Sequence, residues 1–414
     1  MKIFKPVLIG TGFIFVVMRY QSWINTTKKI IESYQGNEPL AAFLKKYFAA
    51  NKKYGSTDRR QIAALCYGYY RLGKAAISTS VEEDILTGVF LNEQLYNEVV
   101  AFFKPEWKTA ITNTVVEKIA LTNFPVKKIF PFKAELTAAV NHQKFCESFL
   151  KQPKLFLRVR PHKKNIVVQK IQKAKIPLAL IDDDCIALSN ATKLDDIIDA
   201  DREAVIQDYN SQQVFNFLKT FALGKKAVTA WDCCAASGGK SILLYDVLKR
   251  NVELTVSDVR LTILLNLHQR FTKAGIKNYN YFIADLNTPG FQFPPLTTKG
   301  TQASVPFNNY QLIVCDAPCT GSGTWSRTPE NLFHFKVSTI DDFAERQKRI
   351  AANVIPYLQK DGLFFYITCS VFKKENEEVA AFIQEKLQLQ LLHMELFKGY
   401  DKKADSMFVA VLKK

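Results

Sequence analysis

Four short apolar runs in the second half of the chain each end in an aspartate: 227–231 before Asp232, 252–257 before Asp258, 279–284 before Asp285 and 310–315 before Asp316. Runs of this length bounded by turn residues read as buried strands, and Ser241-Ile-Leu-Leu-Tyr-Asp-Val-Leu248 after the first has helical spacing. Such an alternation predicts an α/β fold, a doubly wound Rossmann-like sheet. Its carboxylates gather along one edge, where open α/β sheets bind ligands.

The first turn, Asp232-Cys-Cys-Ala-Ala-Ser-Gly-Gly-Lys240, is the candidate cofactor loop, with Cys234, Ala235, Ala236, Ser237, Gly238, Gly239 and Lys240 as its candidate contacts. Two glycines permit close backbone approach, and the helix N-terminus with Lys240 supplies positive potential for a carboxylate. Gly-Lys-Ser also ends a phosphate loop, but the first glycine such a loop requires would fall at Cys234. Asp258 and Asp285, at the next two strand ends, suit ribose hydroxyls and an adenine amine, and Asp316 closes the series.

Two cysteine motifs follow strand-like runs: Asp316-Ala-Pro-Cys319-Thr-Gly-Ser-Gly323 after 310–315 and Thr368-Cys369-Ser370 after 362–367. A thiolate can activate carbon 5 of a cytosine by bonding to carbon 6, after which a second group must remove the carbon 5 proton. Asp316 could hold ring nitrogen 3 protonated and offset the charge created by attack. Arg327-Thr-Pro-Glu330 follows as a basic, turning segment, with Arg327 a candidate RNA contact. These motifs resemble the RsmB-like branch of the Sun/NOP family of S-adenosylmethionine-dependent RNA (cytosine-5) methyltransferases. The resemblance implies a class I methyltransferase core, Cys369 as nucleophile and Cys319 as the residue assisting release. It departs from the family's cofactor motif at Ser237 and Ser241, which stand where proline and threonine are usual. A DNA cytosine-5 methyltransferase is a rival that would use the Pro-Cys thiol as nucleophile, but it lacks a second cysteine in Thr-Cys-Ser context. A non-catalytic RNA-binding assembly protein of the same fold is the other, and it would be expected to have lost one of Cys369, Cys319, Asp316 or Lys240.

The chain's 414 residues suffice for two or three domains, and its net charge of +17 favours a polyanionic partner. Eight cysteines with no C-x-x-C pair suggest neither a disulfide framework nor a zinc site, so no metal is expected and a reducing cytoplasm fits. The apolar run 7–17 is too short to span a bilayer and lacks a cleavage site, so residues 1–17 read as a start-site extension before Met18, with no membrane partner. Residues 18–150 read as a helical domain, a divergent version of the NusB-like domain of the resembled family. Arg59, Arg60 and Arg71, interleaved with Tyr67, Tyr69 and Tyr70, are candidate RNA contacts there, against the alternative of a bundle core with a solvated face. Residues 151–204 read as a small α/β subdomain with Arg158 and Arg160 facing RNA, and 205–414 as the catalytic domain, opening on a helix over 205–214. Residues 287–309 read as a surface insertion, and Glu375, Asn376 and Glu377 as caps of the helix after Cys369 rather than parts of the chemistry. The expected activity is methylation of carbon 5 of a cytidine in structured RNA by a monomer, with 16S ribosomal RNA favoured over tRNA.

Overall fold

The computed structural model describes residues 11–76, 80–92, 97–219, 221, 226–293, 296–298, 301–303 and 310–414. The chain divides into two compact units, one of Met1–Lys133, His142–Gln152 and Trp325–Lys336, the other of Ala134–Asn141, Pro153–Thr324 and Val337–Lys414.

The first unit is helical: α1 (Thr11–Ser33), α2 (Leu40–Ala50), α3 (Ser56–Arg71), α4 (Val81–Leu91), α5 (Glu98–Phe103), α6 (Val115–Thr122) and α7 (His142–Ser148), joined by α11 (Pro329–His334). Apolar residues at three- and four-residue spacing build its core: Ile24 and Ile30 of α1, Leu40 and Leu44 of α2, and Ile62, Leu65, Cys66, Tyr69 and Tyr70 of α3. Tyr69 and Tyr70 are therefore core, and Arg71 is buried, with Nη1 donating to the carbonyls of Phe149 (2.6 Å) and Ser326 (3.1 Å). For Tyr69 and Tyr70 the bundle-core alternative holds, while Arg71, read either as an RNA contact or as part of a solvated face, is taken out of both by burial. Arg59 and Arg60 remain exposed. Helix α1 runs through Met18 without a break, and residues 1–10 of the expected extension lie outside the described residues. Among the described residues no helix is long and apolar enough to cross a membrane.

The second unit carries two sheets. The smaller has the order β2-β3-β1-β4, from β1 (Leu155–Val159), β2 (Ala179–Leu180), β3 (Cys185–Leu188) and β4 (Ala204–Ile206), with α8 (Lys164–Lys173) in the connection after β1. Arg158 on β1 and Arg160 directly after it do not face outward as expected, because their side of the strand is covered by Asp246. Each is 4% exposed, and both clasp Asp246, Arg158 Nη1 at 2.6 Å and Arg160 Nε at 2.8 Å. Residues 204–206 pair with β1, and 210–212 form a single 3-10 turn, so the helix expected over 205–214 is absent and β4 straddles the expected boundary at 204. The carbonyls and amides of 204–206 are taken by the β1 ladder, which outcompetes local helical spacing.

The larger sheet comprises β5 (Val228–Asp232), β6 (Val252–Asp258), β7 (Tyr279–Ile283), β8 (Leu296–Thr298), β9 (Thr301–Ala303), β10 (Tyr310–Asp316), β11 (Leu358–Thr368), β12 (Gln390–Phe397) and β13 (Met407–Lys413). Its order is β12-β13-β11-β10-β5-β6-β7-β8-β9, with β11, β10, β5, β6 and β7 parallel. Side chains alternate strictly: Leu363, Phe365 and Ile367 join the layer under α9 (Gly239–Val247) and α10 (Leu261–Ala274), while Phe364 and Tyr366 join the layer under α12 (Thr339–Val354) and α13 (Glu377–Lys386). Within the expected surface insertion, β8 and β9 pair with each other and β8 pairs with β7, extending the sheet edge; 294–295, 299–300 and 304–309 lie outside the described residues. The chain reverses its direction of travel across the sheet between β5 and β10, and the C-terminal ends of these strands form the edge on which the site is built.

Candidate active site

The candidate cofactor loop follows β5. Gly238 sits at φ 82°, and a Cβ there would lie 2.7 Å from Phe271 Cε1, so glycine is required by both the left-handed backbone and the packing of α10 against the loop. Ser237 does not leave the loop slack: Arg270 Nη1 donates to its carbonyl and its Oγ, both at 3.0 Å, while Asp201 holds the same guanidinium at 2.7 Å. Asp258 accepts from the Ala236 amide (3.1 Å) and pairs with Arg260 (3.1 Å). Asp285 is exposed at its strand end, with Oδ1 accepting from the Asn287 amide.

A cavity of about 320 Å³ opens on this edge, lined by Cys234, Ala236, Asp258, Asp285 and Asp316 among the expected residues. Ala235, Ser237, Gly238, Gly239 and Lys240 do not line it. Ala235 and Gly238 are buried supports. Lys240 Nζ lies 2.6 Å from Asp316 Oδ2. Burial opposes its charge, but the Asp316 carboxylate outweighs that and holds the lysine above its usual range. Arg346 and Ile350, one turn apart on α12, also line the cavity and were not legible in the sequence, since helical periodicity does not say which sheet edge a helix overhangs. Carboxylates at successive strand ends, the Arg346 guanidinium and an apolar wall of Val259, Leu286 and Ile350 fit a nucleoside carrying a charged tail.

The two cysteine motifs meet beside this cavity, Cys319 Sγ 3.4 Å from Cys369 Sγ. The meeting is fixed by backbone: Gly323 N–H donates to the Cys369 carbonyl (2.8 Å), and a Cβ on Gly323 would stand 2.5 Å from the Ser406 carbonyl oxygen. The sulfur of Cys369, burial and the nearby charge of Glu375 together push the Cys319 thiol well above its ordinary pKa. Arg327 is half-buried on the segment that the helical unit incorporates, and Glu330 behind it accepts from the Leu40 amide at 3.1 Å.

Glu375 is the residue that sequence reasoning set aside. It is fully buried, and α13 begins only at Glu377. Its Oε1 accepts from the Thr320 amide (2.8 Å) and Gln347 Nε2 (3.1 Å), and its Oε2 accepts from the hydroxyls of Thr320 (2.6 Å) and Ser370 (2.5 Å). One carboxylate thus ties the residue after Cys319 to the residue after Cys369. Asn376 is also fully buried, its Nδ2 donating to the Ser370 carbonyl at 2.9 Å. Glu377 keeps the expected place in the helix's first turn.

Comparison with known proteins adds the following. Residues 222–412 match the family described as 16S rRNA methyltransferase RsmB/F. A probable ribosomal RNA small subunit methyltransferase B of Bacillus subtilis is 28% identical over 251 residues, 59% of this chain and 52% of that protein. The tRNA (cytosine(72)-C(5))-methyltransferase NSUN6 of Mus musculus is 27% identical over 152 residues, 36% of this chain and 31% of that protein. The chain spans about half or less of the length of the curated relatives it matches. Among solved structures, that of PH0851 superposes with a TM-score of 0.65 at 15% identity, covering 96% of this chain and 98% of that one. NSun6 from Pyrococcus horikoshii with SFG superposes at 0.54 and 13%, covering 66% and 94%. At these identities the likeness is one of fold.

Proposed function

We propose that this chain, whose residues 222–412 match the family described as 16S rRNA methyltransferase RsmB/F, transfers a methyl group from S-adenosylmethionine to carbon 5 of a cytosine in RNA. Ribosomal RNA is favoured as the substrate because the family and several relatives carry that description, with tRNA the alternative raised by the murine relative. The observation that carries the reading is the pair of thiols 3.4 Å apart beside a cavity edged by strand-end carboxylates.

S-adenosylmethionine, when bound, supplies an electrophilic methyl group. Asp258 and Asp285 would hold its ribose and adenine, with Arg346 and the Lys240–Asp316 pair toward the reacting end. Cys369 Sγ, as the thiolate left once its proton goes to solvent, forms a bond to carbon 6, and the electron pair of the ring double bond moves to carbon 5, which would take the methyl as the donor's sulfur–methyl bond breaks to leave S-adenosylhomocysteine. Asp316, within reach of Lys240, offers an acceptor to a protonated ring nitrogen and limits charge build-up. Cys319 Sγ stands 3.4 Å from the sulfur that carries the ring. It gives its own proton to solvent and takes the carbon 5 proton; the carbon 5–hydrogen electron pair re-forms the ring double bond as the carbon 6–sulfur bond breaks, and Cys369 leaves as thiolate.

The thiols are separated by where the reaction stalls. Cys369→Ala should bind RNA and form no adduct. Cys319→Ala should accumulate a protein–RNA band that survives denaturing electrophoresis, and the band should vanish in Cys319→Ala/Cys369→Ala. An adduct that requires Cys319 and accumulates in Cys369→Ala would reverse the assignment.

A further inference from the structure

A second sulfur cluster takes no part in that reaction. Cys233 and Cys234 directly follow β5, and Cys315 is the penultimate residue of β10; the parallel register that sets Val314 opposite Asp232 brings all three together. Their sulfurs lie within 4.8 Å of one another. Cys315 and Cys233 are buried, Cys234 is half-buried, and Cys233 and Cys234 line the 320 Å³ cavity. Sulfurs bonded to one tetrahedral ion at about 2.3 Å stand roughly 3.8 Å apart, so no pair in the cluster needs to close by more than about 1 Å to hold one. With no histidine in the cluster, the ligand set is entirely soft.

We propose that Cys233, Cys234 and Cys315 form a binding site for a single thiophilic d10 cation of the Zn(II) or Cu(I) class, reached from the cavity past Cys234. Each metal–sulfur bond replaces an S–H bond, so an ion bound by all three releases up to three protons to solvent, with no change of oxidation state. Three protein ligands leave a position for an exogenous ligand, which the cavity side can supply. The site and the cofactor share lining residues, so occupancy of one opposes occupancy of the other; this last step rests on the proposed function, the metal site itself does not. The same cluster escapes sequence inspection because adjacent Cys233-Cys234 and distant Cys315 match no metal-ligand spacing.

The test uses the full chain as Cys319→Ala/Cys369→Ala, which removes the other close thiol pair. Anaerobic titration with Cd(II) should give a thiolate-to-metal charge-transfer band saturating at one ion per chain. Adding Cys315→Ser, or Cys234→Ala at the half-buried position, should weaken Cd(II) binding by about 100-fold or more, while Cys146→Ser should leave it unchanged. Absence of the band in folded protein, or a one-ion stoichiometry that survives both Cys234→Ala and Cys315→Ser, overturns the site. In the same protein, saturating Cd(II) should weaken S-adenosylhomocysteine binding by about tenfold or more. Unchanged affinity would overturn the opposition and leave the metal site standing. S-adenosylhomocysteine failing to bind with or without Cd(II) would instead count against the proposed function.

Discussion

Glu375 shows how one side chain can order a site it does not line. Burial raises its pKa despite donors from Ser370, Thr320 and Gln347. A carboxyl raised in the folded state binds its proton more tightly there than in the unfolded chain, so its stabilising contribution is complete below the ordinary carboxylate value of about 4.3 and is lost as pH rises through the raised value. Glu375→Gln should therefore flatten the fall in urea midpoint over that window, and parallel curves for the two proteins would refute the linkage. On the proposed cofactor side, Asp258 is buried and already accepts from the Ala236 amide. Asp258→Ala should weaken S-adenosylhomocysteine binding by about 1–3 kcal/mol in calorimetry. Unchanged affinity in a folded variant would remove Asp258 from the ligand set.

Among elements, the clasp on Asp246 is the clearest case of charge used inside. Asp246 lies on α9, Arg158 on β1 and Arg160 directly after it, and the aspartate neutralises guanidiniums that are held out of water. Removing one partner of a buried pair leaves uncompensated charge, which costs about 3–5 kcal/mol. Asp246→Ala should lower unfolding free energy by that amount in denaturant titration; a loss under about 1 kcal/mol would mean the guanidiniums find water instead. The same element explains why an alternating basic strand misleads: Leu-Phe-Leu-Arg-Val-Arg reads as one wet face only if nothing covers it.

Across the whole molecule, a net charge of +17 is a statement about the partner rather than the fold. With Arg158, Arg160 and Arg71 buried, phosphate contacts to the proposed RNA would come from exposed cations such as Arg59 and Arg60. RNA affinity should fall with salt at a log–log slope of about −0.7 per single-stranded phosphate contact. Arg59→Glu/Arg60→Glu should shallow that slope by about 1.4 if both arginines engage phosphates. An unaltered slope would exclude this face of α3 from the RNA contact.

Sequence alone determined the parallel core, the glycine turn and the carboxylates of Asp258, Asp285 and Asp316 at strand ends, because each is written in a few consecutive residues whose period or turn chemistry is local. It also marked Cys319 and Cys369 as a pair by motif. Only the tertiary structure decided what depends on residues far apart in the chain. The register of β10 against β5 gathers Cys315 with Cys233 and Cys234, and the packing of α12 brings Arg346 and Gln347 to the site. Burial turns Arg158 and Arg160 from expected RNA contacts into internal ion pairs, and turns Glu375 from a helix cap into the link between the two cysteine loops. A charge's role follows from whether water or protein surrounds it, and no local window of sequence contains that information.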